Sequence, residues 1–161
     1  YCDILLFSSG GKVVRFEENE VRAMGRAARG VRGLLLGDGQ SVVSLIIAAP
    51  EVTAGAVLTA TANGYGKRTP LTDYPKHKRG GQGVISIQVN DRNGVVIGAG
   101  LVGEQDEVML ITDGGTLIRT RASEISEVGR NTQGVRLIGL EEGEHLAAVE
   151  KVAESDEELR Q

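Results

Sequence analysis

A hairpin signature occurs three times along this chain, at Ile4–Phe16, Val57–Thr69 and Val108–Thr120. Each copy is a short apolar run, a turn pair (Gly10-Gly11, Asn63-Gly64, Gly114-Gly115) and a second short run. Such pairs tolerate positive φ at both central turn positions, which makes them the strongest local signal for a tight β-hairpin. A Gly-Val pair follows at a fixed distance: Gly30, Gly83 and Gly134 each lie 26 residues after the first strand residue. The copies are therefore gapless over this stretch and repeat at spacings of 53 and 51 residues. The length differences fall later, in the turns at 37–39, 90–94 and 141–143.

Each unit continues with two apolar runs. The first set is Val31–Leu36, Val84–Val89 and Val135–Leu140; the second is Val42–Ala48, Val95–Ala99 and Leu146–Val152. The expected fold is all-β, an array of about three propeller-like, four-stranded blades that must stack to bury their faces. The repeats run over residues 1–53, 54–104 and 105–153, and residues 154–161 begin an acidic tail. A short amphipathic helix over Glu17–Met24 is an alternative for one connection. Composition agrees: 23 of 161 residues are Gly and only 3 are Pro, which suits many tight turns rather than a disordered chain.

Several function classes drop out. The single cysteine, Cys2, excludes a disulfide scaffold and a cysteine zinc site, and His77 and His145 lack metal-ligand spacing. Gly98–Gly103 spells G-x-G-x-x-G, but a strand follows instead of the helix whose N-terminus would hold a pyrophosphate. No catalytic constellation and no cofactor are expected. At 3% aromatic residues, a single-strand stacking platform is also disfavoured. No apolar run is long enough to span a membrane, and no signal peptide is visible. The opening at Tyr1, in an apolar stretch without Met, reads as a cut within a longer protein.

Aligning the repeats against one another exposes two arginine columns. Arg15, Arg68 and Arg119 end the second hairpin strand, and Arg26, Arg79 and Arg130 lie four residues before the Gly-Val pair. An acidic column holds Glu20, Asp73 and Glu124. Two readings stay open. The arginines pair internally with the acids, stitching connection to hairpin, or they form a basic stripe once per blade that suits the phosphates of a rod-like polyanion. One acidic column cannot easily absorb both arginine columns. Lys67 adjoins the first column, and Lys76, Lys78 and Arg79 form the densest basic cluster, next to Gly80-Gly81. Arg29 and Arg32 thicken the matching connection of the first repeat. The net charge of -4 conceals this pattern, because 8 of the 22 acids lie in the last 21 residues and residues 1–140 carry 16 basic against 14 acidic groups.

Glu107–Arg121 (EVMLITDGGTLIRTR), Val128–Val135 (VGRNTQGV), Lys12–Phe16 (KVVRF), Val21–Gly25 (VRAMG) and Gly64–Thr69 (GYGKRT) carry a specific resemblance. Over essentially its whole length the chain resembles the C-terminal domain of the A subunit of bacterial DNA gyrase. The resemblance implies a β-pinwheel, usually of six blades, that binds and wraps duplex DNA around a basic rim. Wrapping serves ATP-dependent negative supercoiling by the whole enzyme, whose catalytic tyrosine and ATPase lie outside this piece. The implied partners are the gyrase B subunit, the remaining blades and the N-terminal part of the A subunit. The implied location is bacterial, cytoplasmic and nucleoid-associated. The family's box, Gln-Arg-Arg-Gly-Gly-Lys-Gly, is matched in His77–Gly83 at Arg79, Gly80, Gly81 and Gly83 and departs at His77, Lys78 and Gln82. It reads as the equivalent loop of a later blade, and the acidic tail reads as a competitor for the rim.

On this reading Arg15, Arg68, Arg119, Arg26, Arg79, Arg130, Lys67, Lys76, Lys78, Arg29 and Arg32 contact duplex DNA. The alternatives are a protein-interaction propeller whose arginines are buried against the acidic column, and the equivalent domain of topoisomerase IV. A partial array leaves open strand edges, so self-association or strand swapping is expected.

Overall fold

The computed structural model describes residues 2–20, 33–49, 55–76 and 83–152. Eleven strands occur among them: β1 (Asp3–Ser8), β2 (Lys12–Glu17), β3 (Val42–Ala48), β4 (Ala56–Thr61), β5 (Tyr65–Pro70), β6 (Val84–Ile85), β7 (Val96–Val102), β8 (Glu107–Thr112), β9 (Leu117–Arg121), β10 (Val135–Arg136) and β11 (Leu146–Lys151). They form three antiparallel sheets in the orders β3-β1-β2-β6, β10-β5-β4-β7 and β11-β8-β9.

The three hairpins form where the glycine pairs lie, and Gly11, Gly64 and Gly115 have φ of 84°, 86° and 89°. The third strand of each sheet is the second apolar run of the same repeat, paired to the first hairpin strand. It carries a register shift at the matching place in every repeat: Phe7/Ser8, Ala60/Thr61 and Leu146/Ala148.

The fourth strand does not come from the same repeat. β6, which follows the second repeat's Gly-Val pair, lies on β2 of the first repeat, with Lys12 opposite Ile85 and Val13 opposite Val84. β10 of the third repeat lies on β5 of the second, with Tyr65 opposite Arg136. A four-stranded sheet is thus assembled from two successive repeats, so the boundary between repeats in sequence is not the boundary between sheets. Among the described residues β9 carries no such strand, and its sheet has three.

The exchanged strands are shorter than the apolar runs predict, two residues each at 84–85 and 135–136, and residues 33–36 form none. The chain leaves the ladder because the next two amides turn onto one acceptor: Ser86 and Ile87 both donate to the Gly11 carbonyl, at 2.7 and 3.3 Å. Leu137 and Ile138 repeat this at Gly64 with the same two distances. Ile87 and Ile138 then bury their side chains as plugs, so their hydrophobicity serves packing and not a longer ladder. The expected helix over Glu17–Met24 is replaced at its start: Glu17 closes β2 and Glu18–Glu20 make a 3-10 turn, matched by Leu71–Asp73 and Ala122–Glu124. Residues 21–24 lie outside the described residues.

The core sits between successive sheets. Leu5, Phe7, Val13, Ile46 and Ala48 of the first repeat enclose Val57, Leu71 and Tyr74 of the second. Leu58 and Val102 pack with Val108, Ala122 and Ile125 of the third. β4, in the middle sheet, is buried at all six positions. Stacking, not any single sheet, removes the apolar faces from water.

Candidate functional site

The first arginine column is a set of staples between repeats. Arg15 Nε donates to Asp3 Oδ2 (2.8 Å), and its Nη1 donates to the carbonyls of Leu71 (2.9 Å) and Tyr74 (3.1 Å), at the 3-10 turn of the next repeat. Arg68 does the same one repeat later: its Nε donates to the Ile125 carbonyl (2.7 Å), and Glu127 lies 3.5 Å from Nη1. The backbone around Arg68 is tied to the same turn, through its amide to Ser126 and through Val128 to its carbonyl. Arg119 has no following turn to grip among the described residues. It pairs with Glu107, and its side chain is 60% exposed.

Of the second column, only Arg130 is described. It too reaches into the preceding repeat, from Nε to the Asp73 carbonyl (2.7 Å) and from Nη1 to the Ile85 carbonyl (2.8 Å). No described arginine of either column meets the side chain of Asp73 or Glu124. Glu124 instead accepts from Thr120 Oγ1 (2.9 Å). The internal-pairing reading placed these arginines within one blade, against the acidic column; Arg15, Arg68 and Arg130 instead bridge successive repeats, chiefly onto main-chain carbonyls that need a donor, and the acids that Arg15, Arg68 and Arg119 meet are Asp3, Glu127 and Glu107.

Two lysines are also corrected. Lys67 is fully buried, with Nζ donating to the carbonyls of Gly129 (2.7 Å), Arg130 (2.5 Å) and Thr132 (3.3 Å) and to Thr132 Oγ1 (2.9 Å). It holds the loop 129–132 and cannot meet a ligand. Lys76 is bridged to Asp3 and Glu17 of the first repeat, both at 3.2 Å, and Glu17 and then Asp3 raise its pKa. Arg26, Arg29, Arg32, Lys78 and Arg79 lie outside the described residues.

Burial, reinforced by the Arg130 charge, lowers the Lys67 pKa from 10.5 to about 8. The dehydration cost of the charged amine is felt in full below pH 8, where folded and unfolded chains both hold the proton. Between pH 8 and 10.5 the unfolded chain holds more protons, so stability rises with pH across that window. Denaturant midpoints of the wild type minus those of Lys67→Met, taken at points across it, should therefore increase. A flat or falling difference would contradict a buried charged amine.

A cation cluster that the column comparison misses lies where the second and third repeats meet. Tyr65 opens β5 and is 6% exposed. Its hydroxyl accepts from Arg92 Nε (3.0 Å) and Arg136 Nη2 (3.3 Å). Both guanidiniums also approach its ring, at 5.3 and 5.7 Å from the centroid. Arg92 and then Arg136 lower the phenol pKa by favouring its anion. Two obstacles hide this cluster in the sequence. Arg92 sits in a turn of variable length, outside any column. Arg136 meets Tyr65 only through the exchanged strand β10. The one available signal is the recurrence of Gly-Val-Arg at 30–32 and 134–136.

The G-x-G-x-x-G stretch lies in and just after β7, consistent with a strand and not a nucleotide loop. No helix among the described residues is long and apolar enough to cross a membrane.

Comparison with known proteins agrees with this architecture. The family model described as DNA gyrase C-terminal domain, beta-propeller, matches three times, at residues 3–49, 56–102 and 106–153. The A subunit of DNA gyrase from Salmonella typhimurium is 58% identical over 159 residues, and that from Escherichia coli K12 is 56% identical over 156. These alignments cover 98% and 97% of this chain and 18% of each relative, so the chain spans under a fifth of their length. A solved DNA gyrase A C-terminal domain superposes with a TM-score of 0.84 at 28% identity, covering 94% of this chain and 50% of that one. The C-terminal domain of DNA topoisomerase IV gives a TM-score of 0.86 at 25% identity, over 93% and 46%.

Proposed function

The chain belongs to the DNA gyrase C-terminal domain, beta-propeller, family, and from that premise we propose that it is a non-catalytic module that binds and wraps duplex DNA. The observation carrying this reading is the family match itself, repeated over all three units. In the whole enzyme, wrapping would bias strand passage towards ATP-dependent negative supercoiling. Its partners there would be the gyrase B subunit, the other repeats and the N-terminal part of the A subunit, in the bacterial cytoplasm at the nucleoid. Identities of 56–58% to gyrase relatives favour gyrase over topoisomerase IV.

The side chains we assign to DNA differ from the two columns. Arg15, Arg68, Arg130 and Lys67 serve the repeat interfaces, and Lys76 is occupied by two carboxylates. Arg119 stays as an exposed candidate. Arg26, Arg29, Arg32, Lys78 and Arg79 stay on the strength of their sequence positions. Arg92 and Arg136 join them, because no acidic side chain bridges to either among the described residues.

Fluorescence anisotropy of a labelled duplex, titrated with this chain at several salt concentrations, tests the reading. Affinity should fall by about tenfold or more between roughly 50 and 200 mM salt, because phosphate contacts release counterions. Reversing the charge at Lys78 and Arg79 should flatten the dependence by about one unit of log–log slope for each phosphate ion pair removed. Salt-insensitive binding would instead favour a protein-docking propeller.

A further inference from the structure

We propose that Arg92 and Arg136, gathered on the Tyr65 hydroxyl, form a seat for one phosphate group, whose occupant in the DNA-binding reading is a backbone phosphodiester. The identity of that occupant rests on the proposed function; the seat itself rests on the following geometry.

The cluster is built and not accidental. β10 lies antiparallel to β5 and places Arg136 directly across from Tyr65. Arg92 is delivered by a turn that is tied down from several sides. The Asn90 side chain accepts from the amides of Arg92 and Asn93, each at 3.0 Å. Asn63, in the adjacent hairpin turn, donates its Nδ2 to the carbonyls of Asp91 and Arg92, each at 3.2 Å. Asn93 is fully buried, and its Nδ2 donates to the carbonyls of Gln88 (2.6 Å) and Gln133 (3.1 Å), which joins the turn to the third repeat.

Two guanidiniums are thereby held against one phenol oxygen. Each has five N–H donors, and the single phenol oxygen takes one from each. The remaining donors have no carboxylate among the described residues, and both side chains are exposed. Like charges brought together repel, so the arrangement gains most when an anion enters. One carboxylate is satisfied by one guanidinium fork, whereas two forks from different elements match the separate oxygens of a phosphate. The aromatic face steadies both cations in that position.

The same position in the first repeat interface holds a different pair, Lys12 opposite Ile85. Among the described residues the two-arginine seat therefore occurs at the junction of the second and third repeats and not at that of the first and second.

The test uses the whole chain, as wild type and as R92Q/R136Q, with R92K/R136K keeping charge without the fork and unfolding curves checking that each variant is folded. Duplex binding against salt is one readout. The other is the ring signal of Tyr65, by NMR with labelled tyrosine, as inorganic phosphate is added and as pH is raised. The seat predicts that R92Q/R136Q lowers the log–log salt slope by about one to two. It also predicts that phosphate raises the Tyr65 pKa in the wild type and not in R92Q/R136Q, because an anion offsets the two cations.

If the wild type binds duplex and R92Q/R136Q matches it in affinity and slope, the seat is overturned while the DNA-binding reading stands. If the wild type binds no duplex at low salt but phosphate still moves Tyr65 through the two arginines, the seat stands with free phosphate as its occupant. The DNA-binding reading then fails. If neither duplex nor phosphate separates wild type from variant, the seat is overturned.

Discussion

Arg68→Ala should lower the unfolding free energy by about 3 kcal/mol, whereas Arg119→Ala should change it by less than about 0.5 kcal/mol. The two residues share one repeat position and similar hairpins, so local sequence gives no reason for a difference. The structure supplies one. The Arg68 side chain is 8% exposed and donates to the Ile125 carbonyl, beside Glu127. Truncation strands that carbonyl, removes the pairing of Glu127 and leaves space between the second and third repeats. Arg119 holds only Glu107 at the surface, where solvent and salt screen the pair. Arg15→Ala should resemble Arg68→Ala, since it frees the carbonyls of Leu71 and Tyr74 and strips Asp3 of one partner. Denaturant unfolding followed by tyrosine fluorescence, in a chain without Trp, measures all three. Hydrogen exchange should localise the Arg68→Ala loss to the turn around Ala122–Ile125. Equal losses at Arg68 and Arg119 would refute the staple.

The turn glycines should divide in the same way. Gly11, Gly64 and Gly115 have nearly equal positive φ, so alanine at any of them costs about 1–2 kcal/mol for a left-handed backbone. At Gly115 that is the whole effect, because a Cβ there meets nothing within 4 Å. At Gly64 a Cβ would lie 2.8 Å from the Ile138 carbonyl oxygen, and at Gly11 it would overlap the Ile87 carbonyl. Those are the segments that cross over from the next repeat and donate their amides to the same glycine's carbonyl. Alanine therefore has to push the exchanged strand off the hairpin, and we expect losses of about 3 kcal/mol or more at Gly11 and Gly64. Unfolding midpoints ranked Gly115→Ala above both others are the expected outcome. Three equal losses would mean that the turn conformation alone demands glycine.

Both contrasts mark the line between what the chain's order of residues determines and what only assembly decides. The three hairpins, their glycine turns and the strands Val42–Ala48 and Leu146–Lys151 were legible in sequence, because each depends on alternation, turn chemistry and neighbours a few residues away; β7 was legible only as far as Ala99, and its glycine-interrupted end, 100–102, is held as strand by pairing with β4. The repeat itself was legible for the same reason. The partner of each Gly-Val strand was not. A two-residue strand has no periodicity to read, and it finds its place through the Gly11 and Gly64 carbonyls, which lie about seventy residues earlier in the chain.

The candidate site divides likewise. Arginine columns were visible as columns, but the main-chain acceptors of Arg15 and Arg68 are 56 to 59 residues away, and carbonyls carry no side-chain signature. Lys67 looked like a surface cation and is a buried one, because the loop that needs its donors arrives from the next repeat. Arg136 carried only the faint signal of a recurring Gly-Val-Arg, and nothing in sequence joined it to Arg92 and Tyr65 before strand exchange brought them together. Sequence determined the repeated parts. The tertiary structure decided which repeat each part serves, since hydrogen-bond donors answer to what is near them in space.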